Sequence, residues 1–151
     1  AQTLADSCLY APEGKRSWGP GRGHFYDHQP TMEEKFGGNK GYIADANANI
    51  FIIAQLESQK SIDNLDDILA VGGIHCVTFG QNDMAASLGV PGEPNHKEVK
   101  DAHAGIEQRA RAAGKHLLAD RMTTLRATVT LLDAMRKYMS DHRDDPVGQI
   151  N

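Results

Sequence analysis

The stretch "IFIIAQLESQKSIDNLDDILAVGGIHCVTFGQND", residues 50–83, decides the fold. Ile50 to Ala54 is an uninterrupted apolar run rich in strand formers, the pattern of a parallel strand covered on both faces. From Ser58 to Val71 the apolar period changes, and Ile62, Leu65, Ile68 and Leu69 fall on one helical stripe. Gly72 and Gly73 stop that helix, and "IHCVTFG" at 74–80 is a second strand. Strand, helix, strand in this order predicts a right-handed βαβ unit in an α/β fold with a parallel sheet. Both strands end abruptly in polar residues, with a carboxylate, Glu57 or Asp83, just past the last apolar position.

The alternation continues downstream. After a Pro/Gly loop at 90–95, Val99, Ala102, Ile106, Ala110 and Ala113 mark a helix, with Gly114 at its C′ position. "KHLLA" at 115–119 reads as a short third strand. Met122, Leu125, Val129, Leu132, Met135 and Met139 then mark a long amphipathic helix, and the polar tail at 140–151 is expected to fray. Upstream, residues 11–41 hold a dense scatter of Gly and Pro, which predicts a long loop region. There is no internal repeat, and 1–151 is expected to form a single domain.

Composition narrows the partners. Forty per cent hydrophobic and 24% charged residues with a net charge of −4 give no basic footprint, so neither nucleic acid nor an anionic membrane is expected as a partner. The longest apolar runs fall far short of the roughly 20 residues a membrane span needs. The opening "AQTLADSCLY" lacks the basic start and apolar middle of a secretory signal. Cys8 and Cys76, without a C-x-x-C spacing, suit a reducing cytoplasm.

Parallel sheets place their ligand sites at the C-terminal ends of the strands. Adjacent strands lie about 4.8 Å apart, so carboxylates at two neighbouring tips reach one point. They repel unless a proton or a cation lies between them. A hard divalent cation such as Mg²⁺ or Mn²⁺ suits oxygen ligands and takes one or two protein carboxylates. The alternative is that Glu57 is a surface carboxylate and Asp83 caps a short helix beginning at Met84. His24 and His28 have i,i+4 spacing, but Gly23 and Pro30 flank them and an exposed loop is expected. "GPGRG" at 19–23 lacks the strand and helix of a phosphate cradle. Asp120 is placed either facing the cleft or capping the next helix, and Met135 and Met139 in a core or subunit contact.

Four stretches carry a resemblance: "YAPEGKRSWGPGR" at 10–22, "AQLES" at 54–58, "NLDDILAVGGIHCVTFGQNDMAASLGVPGEPNHKEV" at 64–99 and "RAAGK" at 111–115. Together they resemble the second half of the class II pyruvate aldolases, the HpcH/HpaI aldolase family, over roughly residues 10–119. The resemblance implies a (β/α)8 TIM-barrel fold, here a partial barrel covering the later βα units. It implies Glu57 and Asp83 as ligands of Mg²⁺ or Mn²⁺, Gln55 as a contact to the 2-oxo acid, and the backbone amides of Asn82 and Asp83 as receivers of its carboxylate. The implied chemistry is that of a carbon–carbon lyase working through a pyruvate enolate, from pyruvate with an aldehyde partner, or by decarboxylation of oxaloacetate. In this family Arg16 or Arg22 would lie near the substrate; a solvated arginine is the simpler expectation.

The departures are specific. Gln81 stands where the family usually has proline, and the barrel's last strand has no clear counterpart after Met122. The substrate-binding arginine and the histidine of the family's early strands have no matching position, so the catalytic base is unassigned and expected in that missing first half. A second possibility follows, a catalytically incomplete half-barrel working as a homo-oligomer or with a complementing chain, since three strands cannot close an eight-stranded barrel.

Overall fold

The computed structural model describes residues 1–19, 21–121 and 127–143, with the side chains of 127–129 left aside. In place of the single domain expected, the chain divides into two compact units, Ala1–Arg121 and Met122–Asn151.

The first unit runs α1 (Gln2–Cys8), a distorted 3₁₀ turn (Arg22–Asp27), α2 (Gln29–Phe36), α3 (Asn39–Asn49), β1 (Ile53–Leu56), α4 (Gln59–Asp63), α5 (Leu65–Leu69), β2 (Cys76–Phe79), α6 (Gln81–Ser87), α7 (Lys97–Ala112), β3 (His116–Leu117) and α8 (Leu118–Arg121). The three strands are parallel in the order β1-β2-β3, with Ile53 opposite Cys76 and Cys76 opposite His116. That is the βαβ topology predicted from residues 50–83.

Along β1 the sheet is covered on one face only, which corrects the expectation of a strand buried on both; in β2, Cys76, on the same face as Ile53, is fully buried. Ile52, Ala54 and Leu56 pack with Leu65, Leu69, Val77, Met84, Ile106 and Leu117 into the main core. The alternate positions face away, leaving Phe51 48% and Ile53 36% exposed. A continuous apolar run therefore marks an inner helix-facing set and an open set at period two.

The helix expected over 58–71 is two short helices. Ser58 and Ser61 form a capping box at the start of α4. Asn64 breaks the run by donating its side-chain amide to the Lys60 carbonyl at 2.8 Å, the local competition that makes Asn a poor helix interior residue. Helix α7 forms where expected: Val99, Ile106 and Ala110 are buried and Ala102 half-buried, while Ala113 is the exposed C-cap and Gly114 takes a left-handed φ of 70° just past it. Strand β3 is shorter than "KHLLA". Asp120 accepts from Nη1 and Nη2 of Arg111 at 2.7 and 3.1 Å, and this pairing accompanies the turn into α8.

The loop expected over 11–41 also needs correction, because α2 and the start of α3 lie within it. Pro30 sits in the first turn of α2, where its missing N–H has no helix partner to lose, and Gly37 at φ 68° closes that helix. These breakers are boundaries of helices. Met32, Tyr42 and Tyr10 form a second small core there. Asn47 clasps the Tyr10 backbone at both ends, accepting from its N–H at 2.8 Å and donating to its carbonyl at 3.0 Å.

In the second unit, α9 (Ala127–Asp141) exposes Leu131, Leu132, Met135, Tyr138 and Met139. The core role considered for Met135 and Met139 is not seen within that unit. Helix α9 runs into the start of the tail expected to fray; Met122, Leu125 and 144–151 lie outside the described residues. Among the described residues no helix is long and apolar enough to cross a membrane.

Candidate functional site

Residues Gln55, Glu57, Thr78 and Gly80 follow one another on the open face of β1 and β2. The register pairs Gln55 with Thr78 and Leu56 with Phe79, so one further step sets Glu57 beside Gly80. The last ladder bond runs from the Gly80 amide to the Leu56 carbonyl at 3.0 Å. A Cβ at Gly80 would lie 2.8 Å from both Cβ and Oε2 of Glu57 and 3.2 Å from Nε2 of Gln55. The absence of a side chain at position 80 is thus what admits the Glu57 carboxylate over the tip of the neighbouring strand. Gln55 donates its amide to Glu57 Oε2, which fixes the carboxylate's direction and leaves Oε1 free of that bond.

Asp83 lies on the next segment. Gly80 is the N-cap of α6 and accepts from the Met84 amide at 2.9 Å, so the helix begins at Gln81 and not at Met84. Asp83 is therefore inside the first turn and is not its cap. Its charge complements the partial positive charge of the helix start. Asp83 and Asn82 are exposed, and Glu57 is half-buried. Neither Glu57 nor Asp83 takes part in an ion pair among the described residues. Also among them, no three His, Cys, Asp or Glu side chains converge as a metal cluster would require. A hard cation takes one or two protein carboxylates and leaves its other positions for water or substrate oxygens; the carboxylates near this end of the sheet are Glu57, just past β1, and Asp83, in the first turn of α6.

The other candidates resolve differently. His24 is buried, not in an exposed loop: its ring stacks on Trp18 with centroids 4.9 Å apart and meets Tyr42 edge-on. Its Nδ1 lies 3.2 Å from Asp27 Oδ1 but off the line of a hydrogen bond. That carboxylate accepts from Trp18 Nε1 instead, at 3.1 Å. Phe25, Tyr26 and Asp27 all have positive φ, three costly left-handed residues in a row. His28 is exposed and bonds Thr31, and Pro20 lies outside the described residues. Arg16 stacks its guanidinium 4.5 Å over the Tyr10 ring, and Arg22 is exposed. Asp120 pairs with Arg111, whose hydrogen bond holds its carboxyl below the usual range, and the helix start near Met122 that it would cap lies outside the described residues. What inspection of the sequence missed is Gly80. Its signal was present as the glycine that separates an apolar strand from a polar helix start.

The HpcH/HpaI aldolase/citrate lyase profile matches residues 1–137, a longer span than 10–119. The chain belongs to this family. It is 39% identical over 115 residues to a 5-keto-4-deoxy-D-glucarate aldolase of Shigella boydii, covering 76% of this chain and 41% of that protein. To a 4-hydroxy-2-oxovalerate aldolase of Rhodococcus jostii it is 36% identical over the same shares. A solved HpcH/HpaI aldolase/citrate lyase family protein from Burkholderia cenocepacia superposes with a TM-score of 0.71 at 25% identity, covering 93% of this chain and 59% of that one. The chain spans about two fifths of the length of these curated relatives. Its parallel strands and covering helices are accordingly part of a (β/α)8 barrel, and the open face of the sheet is a stretch of barrel interior.

Proposed function

We propose that this chain carries the metal and 2-oxo-acid site of a carbon–carbon lyase, an aldolase acting on pyruvate-type acids with an aldehyde as second substrate. The observation that carries this is the Gly80 cradle, which admits the Glu57 carboxylate above the tip of the strand that leads to Asp83. Glu57 and Asp83 would hold Mg²⁺ or Mn²⁺. Such a cation supplies Lewis acidity toward the carboxylate and oxo oxygens of the acid. Gln55 steadies Glu57 and borders the acid. The amides of Asn82 and Asp83, which stand in the first turn of α6 and have no helical acceptor, receive the substrate carboxylate. Two free thiols, Cys8 and Cys76, favour a reducing compartment such as the cytoplasm.

Calorimetric titration with Mn²⁺ and Mg²⁺, with and without oxalate, tests this. Metal is expected to bind, and oxalate to bind only after metal. Unchanged metal affinity in both Glu57→Ala and Asp83→Ala would remove the site.

A second proposal is favoured by the uncovered face bearing Phe51 and Ile53: an incomplete half-barrel that needs further strands, from another copy or a complementing chain, for turnover. Native mass together with aldol cleavage and oxaloacetate decarboxylation assays separates the two. A monomer with full turnover removes the half-barrel, and the preferred acid distinguishes lyase from decarboxylase.

A further inference from the structure

The two carboxylates belong to different segments, Glu57 to the tip of β1 and Asp83 to the first turn of α6. A cation site works only if its ligands are held to within about 0.5 Å by the surrounding structure. The Gly80 amide ties the start of α6 to Leu56. Met84 and Ala85, both fully buried, anchor its inner side.

One more bond crosses between the segments. The Gln59 amide donates to Ser87 Oγ at 2.9 Å. Gln59 opens α4 directly after the Ser58 cap, and the capping box occupies the Ser58 and Ser61 amides, which leaves the Gln59 N–H without a helical acceptor. Ser87 supplies that acceptor from another helix. It lies one turn beyond Asp83 and so on the same side of α6. The bond joins the face of α6 that bears Asp83 to a point two residues past Glu57.

We infer that Ser87 is a positioning residue that sets the separation of Glu57 and Asp83, and through it the affinity for a divalent cation. This rests on the metal site proposed above. Without the Ser87 acceptor, α6 keeps its buried anchor and the Gly80–Leu56 bond but loses its tie to the start of α4, and the two carboxylates are held together less firmly.

The test is Mn²⁺ binding to the full chain, followed by the electron paramagnetic resonance signal of free Mn²⁺, in the unaltered protein and in Ser87→Ala, Ser87→Thr, Glu57→Ala and Asp66→Asn. Asp66 pairs with Arg109 at 2.7 Å and serves as a surface control. Expected are loss of binding in Glu57→Ala, affinity about 2- to 10-fold weaker in Ser87→Ala, as loss of one such hydrogen bond implies, recovery in Ser87→Thr, whose hydroxyl restores the acceptor, and no change in Asp66→Asn. If Glu57→Ala abolishes binding while Ser87→Ala binds as tightly as the unaltered chain, the role of Ser87 falls and the metal site stands. Equal weakening in Ser87→Ala and Asp66→Asn, or no recovery with threonine, also overturns it. Unchanged binding in Glu57→Ala overturns the metal site and the positioning role together.

Discussion

Gly80→Ala is the sharpest perturbation available. The new methyl carbon would sit 2.8 Å from Glu57 Cβ and 2.8 Å from Glu57 Oε2. Favourable carbon–carbon contact begins near 3.5 Å, so about 0.7 Å of overlap must be relieved. The backbone at Gly80, with φ −95°, accepts alanine without strain, so the clash is the main effect. The Glu57 carboxylate can swing aside, but its Cβ is fixed to the strand and cannot. Separating the two strand tips would stretch the 3.0 Å bond from Gly80 to Leu56. Overpacking of this kind costs about 1–3 kcal/mol. Urea unfolding should show that loss, and Mn²⁺ titration should show affinity reduced at least about tenfold, the equivalent of about 1.4 kcal/mol, because the displaced carboxylate no longer stands over β2. A Gly80→Ala protein with unchanged stability and unchanged Mn²⁺ affinity would refute the claim that Glu57 occupies this cradle.

Asn47→Ala strips both hydrogen bonds from the buried Tyr10 backbone and should destabilise the first unit by about 2–4 kcal/mol in chemical denaturation, since two main-chain groups lose their partners. Cys76 is fully buried and burial pushes its thiol up, whereas Cys8 is partly exposed. Alkylation near pH 8 followed by peptide mass spectrometry should therefore modify Cys8 well before Cys76. Arg111 depresses the carboxyl of Asp120 in the folded state, so the pair's contribution is present above the ordinary aspartate value of 3.8 and is lost as pH falls through the lower folded value. The stability difference between the unaltered chain and Asp120→Asn should shrink across that acid range. A difference that grows there would contradict the pairing.

The arrangement of β1, β2 and α7 was legible because their apolar spacings are local and strong. Helices α2 and α3 were not, because Gly37, Gly38 and Pro30 read as loop when their neighbours carry little amphipathic signal, and only the packing of Met32 and Tyr42 against Tyr10 reveals why they are helical. The open face was invisible for another reason: Phe51 and Ile53 are as apolar as the buried Ile52, and apolarity does not say what lies opposite. The early end of β3 accompanies a contact between Arg111 and Asp120 that no local pattern encodes. At the candidate site, the position of Glu57 just past β1 could be read from the first apolar run, whereas Asp83, expected at a strand end, lies inside the first turn of α6. The space at Gly80 and the crossing bond from Gln59 to Ser87 required the three-dimensional register.

The stacking of Trp18 on His24 has a practical side. The sequence holds a single tryptophan, so intrinsic emission reports on the aromatic nest formed with Tyr10 and Tyr42 and says little about the sheet. Circular dichroism weights the helices throughout the chain. Melting curves from the two signals, recorded on one sample, will separate if the nest opens before the barrel layer does, and will coincide if both yield as one cooperative block.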